Sequence, residues 1–545
     1  MGAALRTVRT PRARVDARTR IGLAWFTSRL PGVGSFAWHN GISSGFTSFA
    51  AYVLPGRAPP SPMLRSACAM ADLSDRDGPR DECGVFGIYA PDPEHEVSKL
   101  AYFALYALQH RGQESAGIAT ADVGGHIMTL RELGLVNQVF DEQKLRALQG
   151  GLALGHVRYS TTGSNAWENA QPVHRSDRRE IALAHNGNLV NAVQLHGELS
   201  AQGVSFRSTS DSEIIAAMVA SHPADRVEDA IADVMTRLEG AYSTVIMTKD
   251  RVLAFRDPHG LRPLVLGRLG DRYCVASESC AFDIIGAELL RDVRPGELIS
   301  ITDRGLQTRQ AVQSEREAFC VFEYIYFARP DSRMGGTVLQ AARGRMGEIL
   351  AREAPAPGAD LVIPVPDSGT PAARGFARAS GLPQDDGLIK NRYVQRTFIQ
   401  PGQELRKHGL RLKFNPLPEI IAGKSLVVVD DSIVRGNTTR QIVQMLRDAG
   451  AREVHMRISA PPIRHPCHYG VDMSTREEMI AHGRDQDEIA RELGCDTLSY
   501  LSMEGVYEAV GVSAERHCDA CFTGRYPLGD ATASKYALEL PLVRA

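Results

Sequence analysis

The clearest pattern along the chain is the run Leu426-Val427-Val428-Val429, whose β-branched, uninterrupted apolar character predicts a buried strand. It ends in Asp430-Asp431, and a polar turn follows through Ser432, Gly436, Thr438 and Thr439, after which Gln441 to Arg447 predicts a helix. A second such run, Leu361-Val362-Ile363-Pro364-Val365-Pro366, ends in the turn Asp367-Ser368-Gly369-Thr370. From about residue 315 to 500 strand-like runs alternate with helical patterns, as in a mostly parallel sheet with crossover helices. Near the other end, Cys83-Gly84-Val85-Phe86-Gly87-Ile88 predicts an apolar strand headed by a cysteine, and the pattern is globular from there on. No stretch approaches the roughly 20 apolar residues of a membrane span.

Composition adds a boundary. With 545 residues and 43% apolar content, two or three domains with full cores are expected, and a net charge of -2 gives no bulk attraction to nucleic acid. Residues 1 to about 70 differ from the rest: nine arginines stand against one acid, Asp16, and Pro59-Pro60-Ser61-Pro62 is a breaker cluster. Residues 1–82 therefore read as a leader or propeptide, disordered or missing from the mature chain. An Arg-rich, acid-poor stretch fits an organellar transit peptide. It also fits a start at Met63 or Met70 with the upstream stretch never made, and the Ala/Arg/Gly-heavy chain favours this second reading, with a cytoplasmic enzyme. Nine scattered cysteines in so long a chain argue for reduced thiols with catalytic or metal roles over a disulfide scaffold.

The turn after Asp431 places backbone N–H groups and hydroxyls at a helix N-terminus, which stabilises a phosphate. The two carboxylates suit ribose hydroxyls, or Mg²⁺ carried in with a pyrophosphate. A generic strand ending in two aspartates would need no ligand, but the full string resembles the phosphoribosyl-pyrophosphate (PRPP) signature of type I phosphoribosyltransferases. That resemblance implies PRPP binding by Ser368, Asp430, Asp431, Ser432, Gly436, Thr438 and Thr439, with one Mg²⁺ per subunit near Ser368, Asp430 and Asp431. It also implies a flexible basic lid from Lys390 through Arg396 to Lys413. Lys390 and Arg396 would meet the substrate there, and Phe398 and Ile399 would line a path for ammonia.

Cys83 alone would most simply be core. It is followed, however, by Gln109-His110-Arg111-Gly112-Gln113-Glu114, Gly155-His156-Val157-Arg158-Tyr159-Ser160-Thr161-Thr162-Gly163, His185-Asn186-Gly187-Asn188 and Ser208-Thr209-Ser210-Asp211. In order and spacing these resemble class II glutamine amidotransferases, with an N-terminal-nucleophile glutaminase of αββα type. A thiol near its free pKa wants a base. Were Glu82–Cys83 cleaved, the α-amine of Cys83, of pKa about 7.7–8.0, could serve. The resemblance assigns the nucleophile to Cys83, the oxyanion donors to Asn186 and the Gly187 N–H, and the substrate's α-carboxylate and α-ammonium to Arg158 and Asp211.

Together the two sets of motifs, from Cys83 to about Pro527, resemble the amidophosphoribosyltransferase family. The expected layout is a glutaminase domain over 83–314, a phosphoribosyltransferase domain over 315–500 and a tail over 501–545. Spacing alone leaves Cys320, Cys467 and Cys518-Asp519-Ala520-Cys521 open between zinc and an iron–sulfur cluster. The strings around them resemble the family branch that binds a [4Fe–4S] cluster. Cys68, Cys274, Cys280 and Cys495 carry no such context. The family further implies purine-nucleotide feedback and a homotetramer. Two other classes fit less well. A different class II amidotransferase would need no Asp430-Asp431 turn, and a PRPP-sensing regulator would carry a DNA-binding helix-turn-helix and no glutaminase.

Overall fold

The computed structural model describes residues 83–91, 96–122, 124–159, 165–391, 413–473, 475–529 and Leu538, with the backbone of five strands between residues 11 and 53. The chain divides into two units, Met1–Asp75 and Arg76–Ala545. In the first, Pro11–Arg14, Arg20–Gly22, Trp25–Leu30, Gly34–Ser43 and Phe46–Val53 pair as successive antiparallel neighbours. This differs from the expectation of a leader without fold. The basic composition hides the aromatic and β-branched content of Trp25–Leu30 and Phe46–Val53, which favours extended backbone.

The second unit begins with two antiparallel sheets. Gly84–Tyr89 is the central strand of a seven-stranded sheet, between Arg272–Ala276 and Leu152–Arg158. The facing sheet has six strands, and within it Glu180–Leu189 pairs with Gly240–Met247. Side chains alternate along each strand, so Val85, Leu152 and Leu154 meet Ala184, Val245, Val252 and Ile299 between the sheets. The sheets approach closely at Gly87, where a Cβ would stand 2.7 Å from Val245. Phe86 and Ile88 point the other way, into helices Val97–Ala107 and Cys280–Ile285. Helices Asp211–Ser221 and Val227–Met235 cover the outer face of the six-stranded sheet. The result is the αββα sandwich that the resemblance implies.

The remainder is built on a four-stranded parallel sheet in the order Leu361–Pro364, Ser425–Asp430, Glu453–Ile458, Thr497–Tyr500. Such strands need crossovers, and helices Thr370–Ser380, Asn437–Asp448 and Gln486–Leu493 supply them. The helix expected at Gln441 starts at Asn437 instead, because Gly436 caps it at φ 82°, a conformation open to glycine. A Cβ at Gly436 would also stand 2.3 Å from Ile480. Further along, helix Met503–Val510 buries Val506 and Val510 in this core, and His517–Cys518 pairs in parallel with Phe319–Cys320.

Candidate active site

The glutaminase residues converge at one end of the sandwich. Cys83 is buried ahead of its strand, and its thiol donates to the Tyr159 carbonyl at 3.4 Å. Burial pushes this thiol up to about 11, while Arg158 pulls it down and Asp211 and Glu114 raise it, so all three act on the sulfur. Arg158 ends its strand, buried. Gly112 lets the preceding loop lie against it, since a Cβ there would stand 2.6 Å from the Arg158 nitrogen. Asp211 opens its helix and accepts from the Leu189 N–H at 2.9 Å. Both polar side-chain atoms of Asn186 are buried with no hydrogen-bond partner among the described residues. A buried amide in that state costs free energy unless a ligand meets it. The next residue, Gly187, has φ 150° and lies so close to Ala241 that a Cβ would stand 2.0 Å from its carbonyl oxygen.

The second constellation sits at strand C-termini of the parallel sheet, where open α/β sheets bind ligands. Asp430 ends its strand and Asp431 follows, both buried. Burial pushes both carboxyls up, and their proximity adds to this at Asp430. Ser368 and Ser432 hydrogen-bond Asp431, the latter donating at 2.6 Å. Gly369 brings the Asp367–Thr370 turn against this pair, for a Cβ would stand 2.4 Å from the Val429 carbonyl. Thr438 and Thr439 lie in the first turn of the helix after Gly436. Lys390 contacts Asp367 at 2.5 Å, and the strand pair Leu388–Lys390 and Phe414–Pro416 holds the ends of the intervening loop. Arg396, Phe398 and Ile399 fall outside the described residues, as do Ser160–Gly163, Glu82, Met63 and Met70.

The four cysteines also meet. Cys320 and Cys518 are direct strand partners, and Cys521 lies within electrostatic reach of Cys320, Cys467 and Cys518. Among the described residues no three His, Cys, Asp or Glu side chains are disposed to hold one metal ion. A single zinc would draw four sulfurs to about 2.3 Å from one centre. An iron–sulfur cluster instead takes its thiolates on separate irons. The Cys467 loop rests on the turn at Gly187: Asn188 donates to the His468 carbonyl at 2.9 Å, and a Cβ on Gly470 would lie 3.1 Å from Gly187.

A buried ionic network, which sequence reading does not assign, joins the two halves. Arg111 donates from Nε to the Cys83 carbonyl at 3.0 Å and pairs with Glu278 at 2.6 Å and Glu323 at 2.7 Å. Glu278 also meets His110 at 2.6 Å and accepts from Ser332 at 2.6 Å. Burial alone would raise the Glu278 carboxyl, yet His110 and Arg111 hold it well below the carboxylate range. Glu323 opens the π-helical turn Glu323–Phe327, whose Tyr324 carbonyl accepts from Arg343 at 2.9 Å, and Arg343 in turn acts on Asp431. Only the string Gln109-His110-Arg111 hinted at this joint, because the partners lie 167 and 212 positions away.

The chain is similar to known proteins of one family. Residues 156–283 match the glutamine amidotransferase domain family. Amidophosphoribosyltransferase of Synechococcus elongatus is 50% identical over 491 residues, covering 88% of this chain and 99% of that protein. The Bacillus subtilis enzyme is 47% identical over 461 residues, covering 84% and 96%. The solved structure of the B. subtilis glutamine PRPP amidotransferase, complexed with ADP and GMP, superimposes with a TM-score of 0.77 at 47% identity over 82% of this chain and 97% of that one. A structure described as the allosteric regulatory enzyme of purine biosynthesis gives 0.79 at 46% identity, over 84% and 99%. The chain belongs to the amidophosphoribosyltransferase family, enzymes that use glutamine and PRPP in the first step of purine biosynthesis.

Proposed function

We propose that residues 83–314 hydrolyse glutamine at Cys83, and that residues 315–500 add the released ammonia to C1 of PRPP, with 501–545 as a tail. The carrying observation is the convergence of Arg158 and Asp211 on the Cys83 sulfur, together with the buried amide of Asn186, unpartnered among the described residues. Arg158 takes the α-carboxylate of glutamine by paired charge-assisted hydrogen bonds, and Asp211 takes its α-ammonium. The Cys83 sulfur attacks the side-chain amide carbon, and the developing oxyanion is met by Asn186 and the Gly187 N–H. The amide nitrogen leaves as ammonia and a thioester remains, which water cleaves to glutamate. A thiol raised to about 11 is almost wholly protonated at neutral pH, so attack requires a base. Cleavage before Cys83 frees an α-amine that supplies it.

Ammonia then forms a bond to C1 as the bond to pyrophosphate breaks, giving 5-phosphoribosylamine. Asp430 and Asp431 orient the ribose, Ser368 and Ser432 the pyrophosphate side, and Gly436, Thr438 and Thr439 the 5′-phosphate. Lys390 and Arg396 close over the polyanion, which excludes water from C1. Ser368, Asp430 and Asp431 would hold a Mg²⁺ bound with PRPP, whose charge would offset that of the pyrophosphate. Cys320, Cys467, Cys518 and Cys521 hold a [4Fe–4S] cluster with a structural role, so anaerobically isolated protein should contain about four irons per chain, and a single zinc would contradict this. A homotetramer, inhibition by purine nucleotides and a cytoplasmic location complete the proposal. No described helix is long and apolar enough to cross a membrane.

The test is Cys83→Ala. It should abolish glutamine-dependent phosphoribosylamine formation and leave the rate with ammonium salts within about twofold, since the second reaction needs only ammonia. Loss of both rates would make Cys83 structural.

A further inference from the structure

The segment from Asn169 to Pro172 touches both sides of the glutamine pocket without entering it. Gln171 is 3% exposed, and its side chain bonds both backbone groups of His185, the residue before Asn186. Its Oε1 accepts from the His185 N–H at 2.8 Å, and its Nε2 reaches the His185 carbonyl at 3.5 Å. The same carbonyl accepts from His156 Nε2 at 3.1 Å. Burial pulls His156 down to about 3, so at neutral pH it stays an uncharged ring with its proton on the nitrogen that donates. His185 is thus held at both backbone groups, and Asn186 follows it directly.

Asn169 does the same for the opposite wall. Its Oδ1 accepts from the Thr209 N–H at 2.9 Å and its Nδ2 donates to the Thr209 hydroxyl at 3.0 Å, two residues before Asp211. The segment itself has nowhere to shift. A Cβ on Gly117 would stand 2.1 Å from the Gln171 carbonyl oxygen. Arg131 donates to the Pro172 carbonyl at 3.2 Å and to that of Ala170, while its guanidinium covers the Trp167 ring.

We propose that Asn169 and Gln171 are positioning residues that set the two walls of the glutamine pocket from one rigid segment. Gln171 aims the oxyanion donors through His185, and Asn169 aims the Asp211 carboxylate through Thr209. Neither touches the substrate. The inference rests on the reading of Asn186 and Asp211 given above. It divides their effects: an oxyanion forms only in the transition state, whereas the α-ammonium is bound from the start.

The experiment measures kcat and KM for glutamine, with the ammonium-driven rate as a folding control, in full-length Gln171→Ala, Asn169→Ala and Asn169→Asp. A misplaced oxyanion donor should lower kcat about 10–100-fold in Gln171→Ala while KM stays within about twofold. Asn169→Ala should raise KM about tenfold with kcat within about twofold, and Asn169→Asp, which keeps the acceptor for Thr209, should restore most of it. Gln171→Met fills similar volume without the amide and is the variant to measure should Gln171→Ala fail to fold. Equal loss of kcat, KM and the ammonium-driven rate would reduce both residues to ordinary core, and unchanged kinetics would likewise overturn the proposal. Asn186→Ala and Asp211→Asn are measured alongside. If Asn186→Ala keeps its kcat, the reading of the oxyanion site fails and the inference falls with it. If Asn186→Ala loses kcat while Gln171→Ala matches the parent, the inference alone fails.

Discussion

Two pairs of buried carboxylates in this protein behave in opposite ways. Glu278 and Glu323, at the joint between the halves, are wrapped by Arg111, His110 and Ser332, and Glu278 is held well below the carboxylate range. Asp430 and Asp431, at the end of the parallel strand, are pushed up, because Arg343, Lys413 and the neighbouring hydroxyls only partly offset their burial. Charges compensated within the chain make a structural joint. Charges left under-compensated at strand ends mark a place where a ligand supplies the missing partners. The first pair is matched by charges within the chain, and the second carries a burial cost that binding of PRPP, as proposed above, would offset.

That contrast can be broken most forcefully at Asp431. Asp431→Asn should cut both glutamine- and ammonium-driven synthesis by roughly 10²–10³-fold, as removal of a preorganised electrostatic partner does. The sign for stability is the reverse. With folded pKa values raised, the aspartates contribute stability at low pH that is lost as pH rises through those values, so at neutral pH the variant should melt higher than the parent in the absence of PRPP. A lower melting temperature, or loss of the glutamine-driven rate alone, would contradict the assignment.

Next in size is the joint. Arg111→Leu removes the guanidinium shared by Glu278 and Glu323, leaving His110 on the first and Arg262 on the second, and should cost about 3 kcal/mol of stability in denaturant unfolding. A loss under about 1 kcal/mol would mean that water reaches the joint. A smaller effect separates Glu278→Gln from the parent. A depressed folded pKa contributes stability that is complete above the unfolded value of 4.5 and fades as pH falls toward the folded one. The melting-temperature gap should therefore shrink as pH falls below about 4.5. A gap that widens in acid would reverse the assignment of Glu278.

Much of this was legible in local pattern. The run Leu426–Val429 became the strand Ser425–Asp430 with its two carboxylates at the end, and the apolar run at Cys83 became the central strand of a sheet. Both signals are period and composition within a few residues, which sequence carries directly. The helix after Gly436 was read four residues short, because what starts it is a glycine at positive φ whose need is set by Ile480, far along the chain. Asn169, Gln171, Glu278 and Glu323 were invisible for a related reason. Each acts on a partner between 14 and 212 positions away, through hydrogen bonds that leave no periodic trace.

In the proposed glutaminase chemistry Cys83 attacks glutamine with its own α-amine as base. Intact mass and N-terminal sequencing of enzyme isolated from its native host, paired with its glutamine-dependent rate, test this most directly. An active chain should begin at Cys83, while protein still carrying Glu82 should turn over added ammonium salts but not glutamine. A chain that keeps Glu82 and uses glutamine at full rate would remove the free amine and require a different base.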